Sequence, residues 1–327
     1  MSTKKEYRIS KNGLLVIDEN GNFRPNSIWG NTYFVDYRNG NDTNNNGLSK
    51  ASAFKTYSHA LSKITTNNND LVVIDGDSTI VETAMVSNSK NRFSVLGVGG
   101  GIFYGQGAKI QVGVTTSVSD IATFKNAGGT RANFSNLKFV NANTKTEALW
   151  GVAEGAEYST YVNCEFYKST QLSVTTSAEV LLNADSAQFL GCTFGSLADA
   201  RSGTVIRPTV WLGKGVVGAG LVSRDVTFQD CLFWIQASHT TSSFVHAPAA
   251  TDVERQVLFK GCGFINNKAA SAVPAQAISC AATLTVGQII LDPNCYAANV
   301  TKISTSTGVI VTGPAVSSGT GIGTNAA

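Results

Sequence analysis

One six-residue phrase recurs five times and limits what this chain can fold into. It reads Phe134-Ser135-Asn136-Leu137-Lys138-Phe139, then Tyr161-Val162-Asn163-Cys164-Glu165-Phe166. It returns as Phe189-Leu190-Gly191-Cys192-Thr193-Phe194, Phe228-Gln229-Asp230-Cys231-Leu232-Phe233 and Phe259-Lys260-Gly261-Cys262-Gly263-Phe264. Measured at the Leu/Cys position (137, 164, 192, 231, 262), the steps are 27, 28, 39 and 31 residues. A period of this size means stacked units that each bury a face against the next.

The first and sixth positions of the phrase are aromatic, and on one straight strand they would face opposite ways, because side chains alternate with a period of two. The third position resolves the conflict. It is Asn, Asn, Gly, Asp, Gly, the residue types that best tolerate the left-handed conformation. A single left-handed residue there bends the chain so that both flanks aim inward. Positions four and six then share one face with the fifth outside, and the small residues Ala132, Ser159, Ala187, Val226 and Val257 precede each bend inside the core. Earlier apolar runs at 148–150, 180–182 and 210–212 supply a third side to each coil. Successive coils would stack at about 4.8 Å, with Phe over Phe and Cys over Cys. A β-sandwich would have to acquire five in-phase copies by accident.

The expectation is an all-β chain folded as a right-handed, single-stranded parallel β-helix, with a short N-terminal cap helix and extended terminal arms. The bends resemble those of the pectate-lyase-like superfamily, where Asn-Cys-x-Phe phrases are common. The opening stretch is similar to that superfamily too. Tyr33-Phe34-Val35-Asp36 leads through Gly40-Asn41-Asp42 and Asn46-Gly47-Leu48-Ser49 to Ala53-Phe54-Lys55-Thr56. Phe54, Tyr57, Leu61 and Ile64 fall at helical spacing, and Ser52 is the expected N-cap. The expected organisation is an arm or hairpin at 1–30, a polar loop and cap helix at 31–70, a β-helix at 71–299 and a Gly/Ser/Thr-rich arm at 300–327.

Composition narrows the function. With 327 residues, 43% apolar and 14% charged, the chain can bury a long core while presenting neutral, hydroxylated outer faces. A net charge of +3 gives no basis for nucleic acid or an acidic membrane surface as partner. Four of the six cysteines (Cys164, Cys192, Cys231, Cys262; the others are Cys280 and Cys295) occupy one core slot and read as small buried hydrophobes. Parallel side chains in a stack make poor disulfide geometry. No cofactor and no metal site is expected, since there is no Cys-x-x-Cys and no histidine cluster. The charged start, Met1 to Arg8, is not a secretory signal, and no apolar run approaches membrane-spanning length.

Catalytic phrases of the family do not emerge, and no catalytic residue is assigned. There is no polygalacturonase-type Asp-Asp with Gly-His-Gly, and Arg207-Pro208 does not match the Arg-x-Pro-x-x-Arg of pectate lyases. Asp75 with Asp77 reads as turn chemistry before it reads as a cation site. Glu154 with Glu157, beside Trp150, is expected on a solvated loop. His59, His239 and His246 have no evident carboxylate partner, and the insertion at 195–208, with Asp199, Arg201 and Arg207, is expected to loop out. The resemblance is greatest to β-helix proteins of bacteriophage particles. It implies a structural virion protein assembled in the host cytoplasm: a homotrimeric capsid decoration protein whose partners are itself and the major capsid protein. The alternative is a tailspike that binds or cleaves host surface glycan.

Overall fold

The computed structural model describes residues 7–10, 13–17, 23–25, 30–98, 108–112, 121–142, 149–168, 177–201, 206–213, 222–267 and 273–312. The predicted strands at 102–104 and the Gly/Ser/Thr-rich tail from 313 onward lie outside the described residues. Near the start, Tyr7–Ser10, Gly13–Ile17 and Phe23–Pro25 form a three-stranded antiparallel sheet. Among the described residues, every later strand belongs to three parallel sheets of ten, eight and seven strands, and between residues 70 and 280 each coil adds one strand to each sheet in chain order. The architecture is a right-handed parallel β-helix.

One coil shows how the residues build it. Asn133–Ser135 lies in the ten-stranded sheet, Leu137–Asn141 in the eight-stranded sheet and Trp150–Glu154 in the seven-stranded sheet. Between the first two lies one residue, Asn136, at φ 54°. Asn163, Gly191, Asp230 and Gly261 repeat that left-handed bend at φ 51° to 60°. The backbone N–H of Asn136 donates to the carbonyl of Val162 at 3.0 Å, so the bends are tied coil to coil.

Inside, the two aromatic positions of the phrase form two columns. Phe134, Tyr161, Phe189, Phe228 and Phe259 stack with centroids 4.7–5.0 Å apart. Phe139, Phe166, Phe194, Phe233 and Phe264 stack at 4.7–5.8 Å. The columns meet edge to face, as for Tyr161 and Phe166 at 5.5 Å and 71°, which is how ring quadrupoles attract. All ten rings are buried. Cys164, Cys192, Cys231, Cys262 and Cys295 are free thiols in a third column, so Cys295 joins the four expected. Each Sγ donates to the carbonyl of an aromatic residue in the preceding coil, from Phe134 for Cys164 to Phe259 for Cys295, at 3.3–3.6 Å.

Three local expectations need correction. The 148–150 run does not align with 180–182; Val152 pairs with Val180 and Trp150 with Ala178, because Val152 rather than Leu149 continues the inward row from Phe124. The cap helix is Tyr57–Lys63 and its N-cap is Thr56, whose hydroxyl accepts from the His59 N–H; Ser52 ends a separate 3-10 turn. Much of the 195–208 insertion is strand: Thr193–Arg201 carries a bulge between Gly195 and Ala200. Past residue 299, Val309–Val311 pairs with Gly287–Leu291 as the last strand of the ten-stranded sheet.

Candidate functional site

The acids singled out in the sequence end up in three settings. Glu154, expected in solvent, is fully buried. Asn126 Nδ2 donates to both its oxygens at 3.0–3.1 Å, the Ala156 N–H at 2.8 Å and Ser159 Oγ at 3.3 Å to one, and Tyr161 Oη to the other. Burial drives its carboxyl upward, these donors pull it part of the way back, and it settles at about 7. Its sequence neighbour Glu157 is half-buried at the next corner, where its carbonyl accepts the Arg131 N–H at 2.9 Å. The two do not form a pair. Asp75 accepts the Asp77 N–H at 3.1 Å, as turn chemistry requires, and meets Lys50 at 2.8 Å.

Arg201 and Arg207 are buried, which corrects the expectation of an exposed loop. The Arg201 guanidinium pairs with Glu179 at 2.7 Å and also donates to the Arg207 carbonyl. Asp199 is described only by its backbone. Of the histidines, His59 packs edge-on against Phe54 at 4.7 Å. His239 shares a hydrogen bond with Thr241 at 2.8 Å. His246 is buried against Trp211 and shares a 2.7 Å hydrogen bond with Ser279; burial lowers its pKa to about 4.

A feature that sequence reasoning missed runs down the corner between the seven- and ten-stranded sheets. Arg92, Arg131, Tyr158, Ser186, Asp225 and Arg255 are all left-handed, φ 50° to 64°. The residue before Tyr158, Ser186 and Asp225 stacks in register: Glu157 on Asp185 on Arg224. The result is a convex ridge of mixed charge. Arg224 Nε donates to Asp185 at 2.9 Å, Arg224 also meets Glu254 at 3.4 Å, and Arg255 meets Asp225 at 2.6 Å. Arg131 lies over the Tyr158 ring at 5.6 Å, and Tyr158 is 49% exposed.

Glycoside cleavage asks for a carboxylic acid that holds its proton near neutrality, facing a second carboxylate across an open substrate path. Among the described residues the carboxyls pushed upward, Glu82 and Glu154, are both buried. At the corner, although partial burial opposes it, hydrogen bonds from Arg224 and Ser186 and the positive charges of Arg224 and Arg255 hold Asp185 below the usual carboxylate range. That makes it a fixed anion, not an acid. The ridge is suited to recognition through charge and aromatic contact. Among the described residues no group of three or more His, Cys, Asp or Glu is placed to hold a metal ion.

The fold is a right-handed parallel β-helix. No protein-family model matches the chain, and no curated protein matches it. Solved structures do. A rhamnogalacturonan lyase superposes with a TM-score of 0.52 at 12% identity, over 81% of this chain and 67% of that one. Pectate lyase Pel9A gives 0.48 at 12% identity, over 82% of this chain and 63% of the lyase. ORF18 of Geobacillus virus E2 gives 0.43 at 10% identity, over 91% of this chain and 65% of the viral one. The shared feature is the fold.

Proposed function

We propose that this chain is a structural protein of a bacteriophage particle, a β-helix that decorates the capsid as a homotrimer. The observation that carries the reading is how the acids are used. Glu82 caps the helix, Asp70 ties Asn31 and Thr65 together, Glu154 joins neighbouring coils, and Glu179 neutralises Arg201. Each of these side chains is committed to holding the cap or neighbouring coils in place. The bend and opening motifs add a resemblance to pectate-lyase-like β-helices, and the ladder of free cysteines favours a phage protein among them. The test is the copy number of this chain in purified particles, by quantitative mass spectrometry against the major capsid protein. Abundance comparable with capsid hexamers is expected. A handful of copies would move it to the tail and favour the glycan-binding alternative, for which the exposed Tyr158 beside Arg131 is the specific observation. Absence from particles would overturn both.

A further inference from the structure

Charge is unevenly placed along the solenoid. Residues 1–149 carry +5 and residues 150–327 carry −2. Burial widens the contrast. Between 149 and 312 three of the seven described cations, Lys168, Arg201 and Arg207, are buried, while the more accessible Arg224 and Arg255 pair with Glu254 and Asp225. Near the N-terminal end it is acids that are buried: Asp36, Asp70 and Glu82 accept backbone N–H groups of the loop and cap. Arg38, Lys55 and Lys63 stand exposed around them, and Lys50 meets Asp75. From 90 to 142 the described residues hold six cations, Lys90, Arg92, Lys109, Lys125, Arg131 and Lys138, and no Asp or Glu. All six are half-buried or exposed. Lys138 meets Glu165 of the next coil at 3.1 Å. Burial and the neighbouring charge of Lys138 hold the Lys109 ammonium below its ordinary value.

We propose that this basic end is where the chain docks, and that it docks on an acidic protein surface. The inference rests on the particle reading above and names the attaching end and the chemistry it meets. Sign fixes the partner's charge, since like charges brought together oppose binding. Placement fixes its kind. Lys125 lies on the seven-stranded sheet, Lys109 and Lys138 on the eight-stranded sheet, and Arg92 and Arg131 at the corner of the seven- and ten-stranded sheets. A nucleic-acid duplex or an extended glycan laid against one side would reach two or three of these. A flat bilayer meeting the end would reach the cap loop, but strand spacing of about 4.8 Å sets Lys109, Lys125 and Lys138 one or two coils behind it. An acidic protein surface that receives the end as a socket engages these sides together.

The experiment compares purified particles carrying wild type, Arg92→Glu with Lys125→Glu, or Lys260→Glu with Lys302→Glu, the last pair making the same change of charge at the far end. All four side chains are half-buried or exposed, so thermal midpoints should match wild type; Arg92→Gln with Lys125→Gln serves if the first pair does not fold. Retention on the particle is followed as salt is raised from about 0.05 to 0.5 M. Wild type should be released progressively, the N-terminal variant should bind about tenfold more weakly, and the far-end variant should follow wild type. Equal retention of all three would overturn the docking end and leave the particle reading standing. Absence of wild type from particles would overturn both. Duplex DNA and phosphatidylglycerol vesicles are the remaining probes, at about 0.15 M salt. Neither should hold wild type; binding that the Arg92 and Lys125 changes abolish would assign the end to a polyanion or a membrane and overturn the acidic protein.

Discussion

Glu154 and His246 are buried titratable groups displaced in opposite directions, and their linkages to folding oppose each other. Glu154 sits at about 7 against an ordinary 4.5. Between those values the folded chain keeps a proton that the unfolded chain has released, so stability falls as pH rises from 4.5 to 7 and is level above. His246 sits at about 4 against 6.5. Between those values the unfolded chain takes up a proton that the folded chain refuses, so stability is lost as pH falls from 6.5 to 4. Each displacement corresponds to about 3 kcal/mol, and the windows overlap. These two contributions should therefore largely cancel between pH 4.5 and 6.5. Glu154→Gln should expose the histidine's rising limb over that range, and His246→Gln the falling limb of the glutamate. Urea midpoints from pH 4 to 8 would check this; profiles parallel to wild type in both variants would refute the assignment.

The cap helix is too short to persist alone, and its seven residues owe their order to contacts supplied from elsewhere. Glu82, on the first strand of the eight-stranded sheet, accepts the N–H groups of Tyr57 and Ser58 at 2.8 and 3.1 Å and the Ser58 hydroxyl at 2.6 Å. Glu82→Ala should leave the buried Tyr57 N–H without an acceptor and cost about 1–3 kcal/mol. Hydrogen exchange should then accelerate first at 57–63; loss of protection spread evenly over the coils would argue against a local capping role. The helix was legible from Phe54, Tyr57, Leu61 and Ile64, but Glu82 as its cap was not, because that contact spans 25 residues. The same division holds for the bends. Asn136, Gly191 and Asp230 declare a left-handed residue by type. Arg92, Arg131 and Tyr158 adopt the same conformation with no such signal, since their backbone is set by hydrogen bonds to the next coil, as from the Tyr158 N–H to the Asp185 carbonyl at 2.8 Å. Glu154 misled for a related reason. Glutamate reads as exposed by type, and its burial is decided by Asn126, 28 residues away in the preceding coil.

Over the whole molecule, stability should approximate a sum of coil and coil-to-coil terms, because each coil touches mainly its neighbours. The aromatic columns allow the second kind of term to be separated from simple burial. Phe194 and Phe264 belong to one column and are both fully buried. Phe194 has a stacked ring on each side, Phe166 at 4.9 Å and Phe233 at 4.7 Å, besides edge contacts with Phe189 and Phe228. Phe264 has one stacked ring, Phe233 at 4.9 Å, with Phe244 and Phe259 nearby; on its other side the column ends at Ala297. Replacing either by Ala should cost about 3–5 kcal/mol through lost burial and the cavity left behind. If ring stacking couples the coils, Phe194→Ala should exceed Phe264→Ala by the worth of one aromatic pair, about 0.5–1.5 kcal/mol. Chemical denaturation of both variants, with m-values compared to keep the unfolded states alike, measures the difference. Equal losses would mean that burial alone stabilises the column and that the stacked geometry contributes register without coupling energy. A larger loss at Phe194 would mean that the recurring phrase sets both the shape of each coil and the strength with which coils hold together.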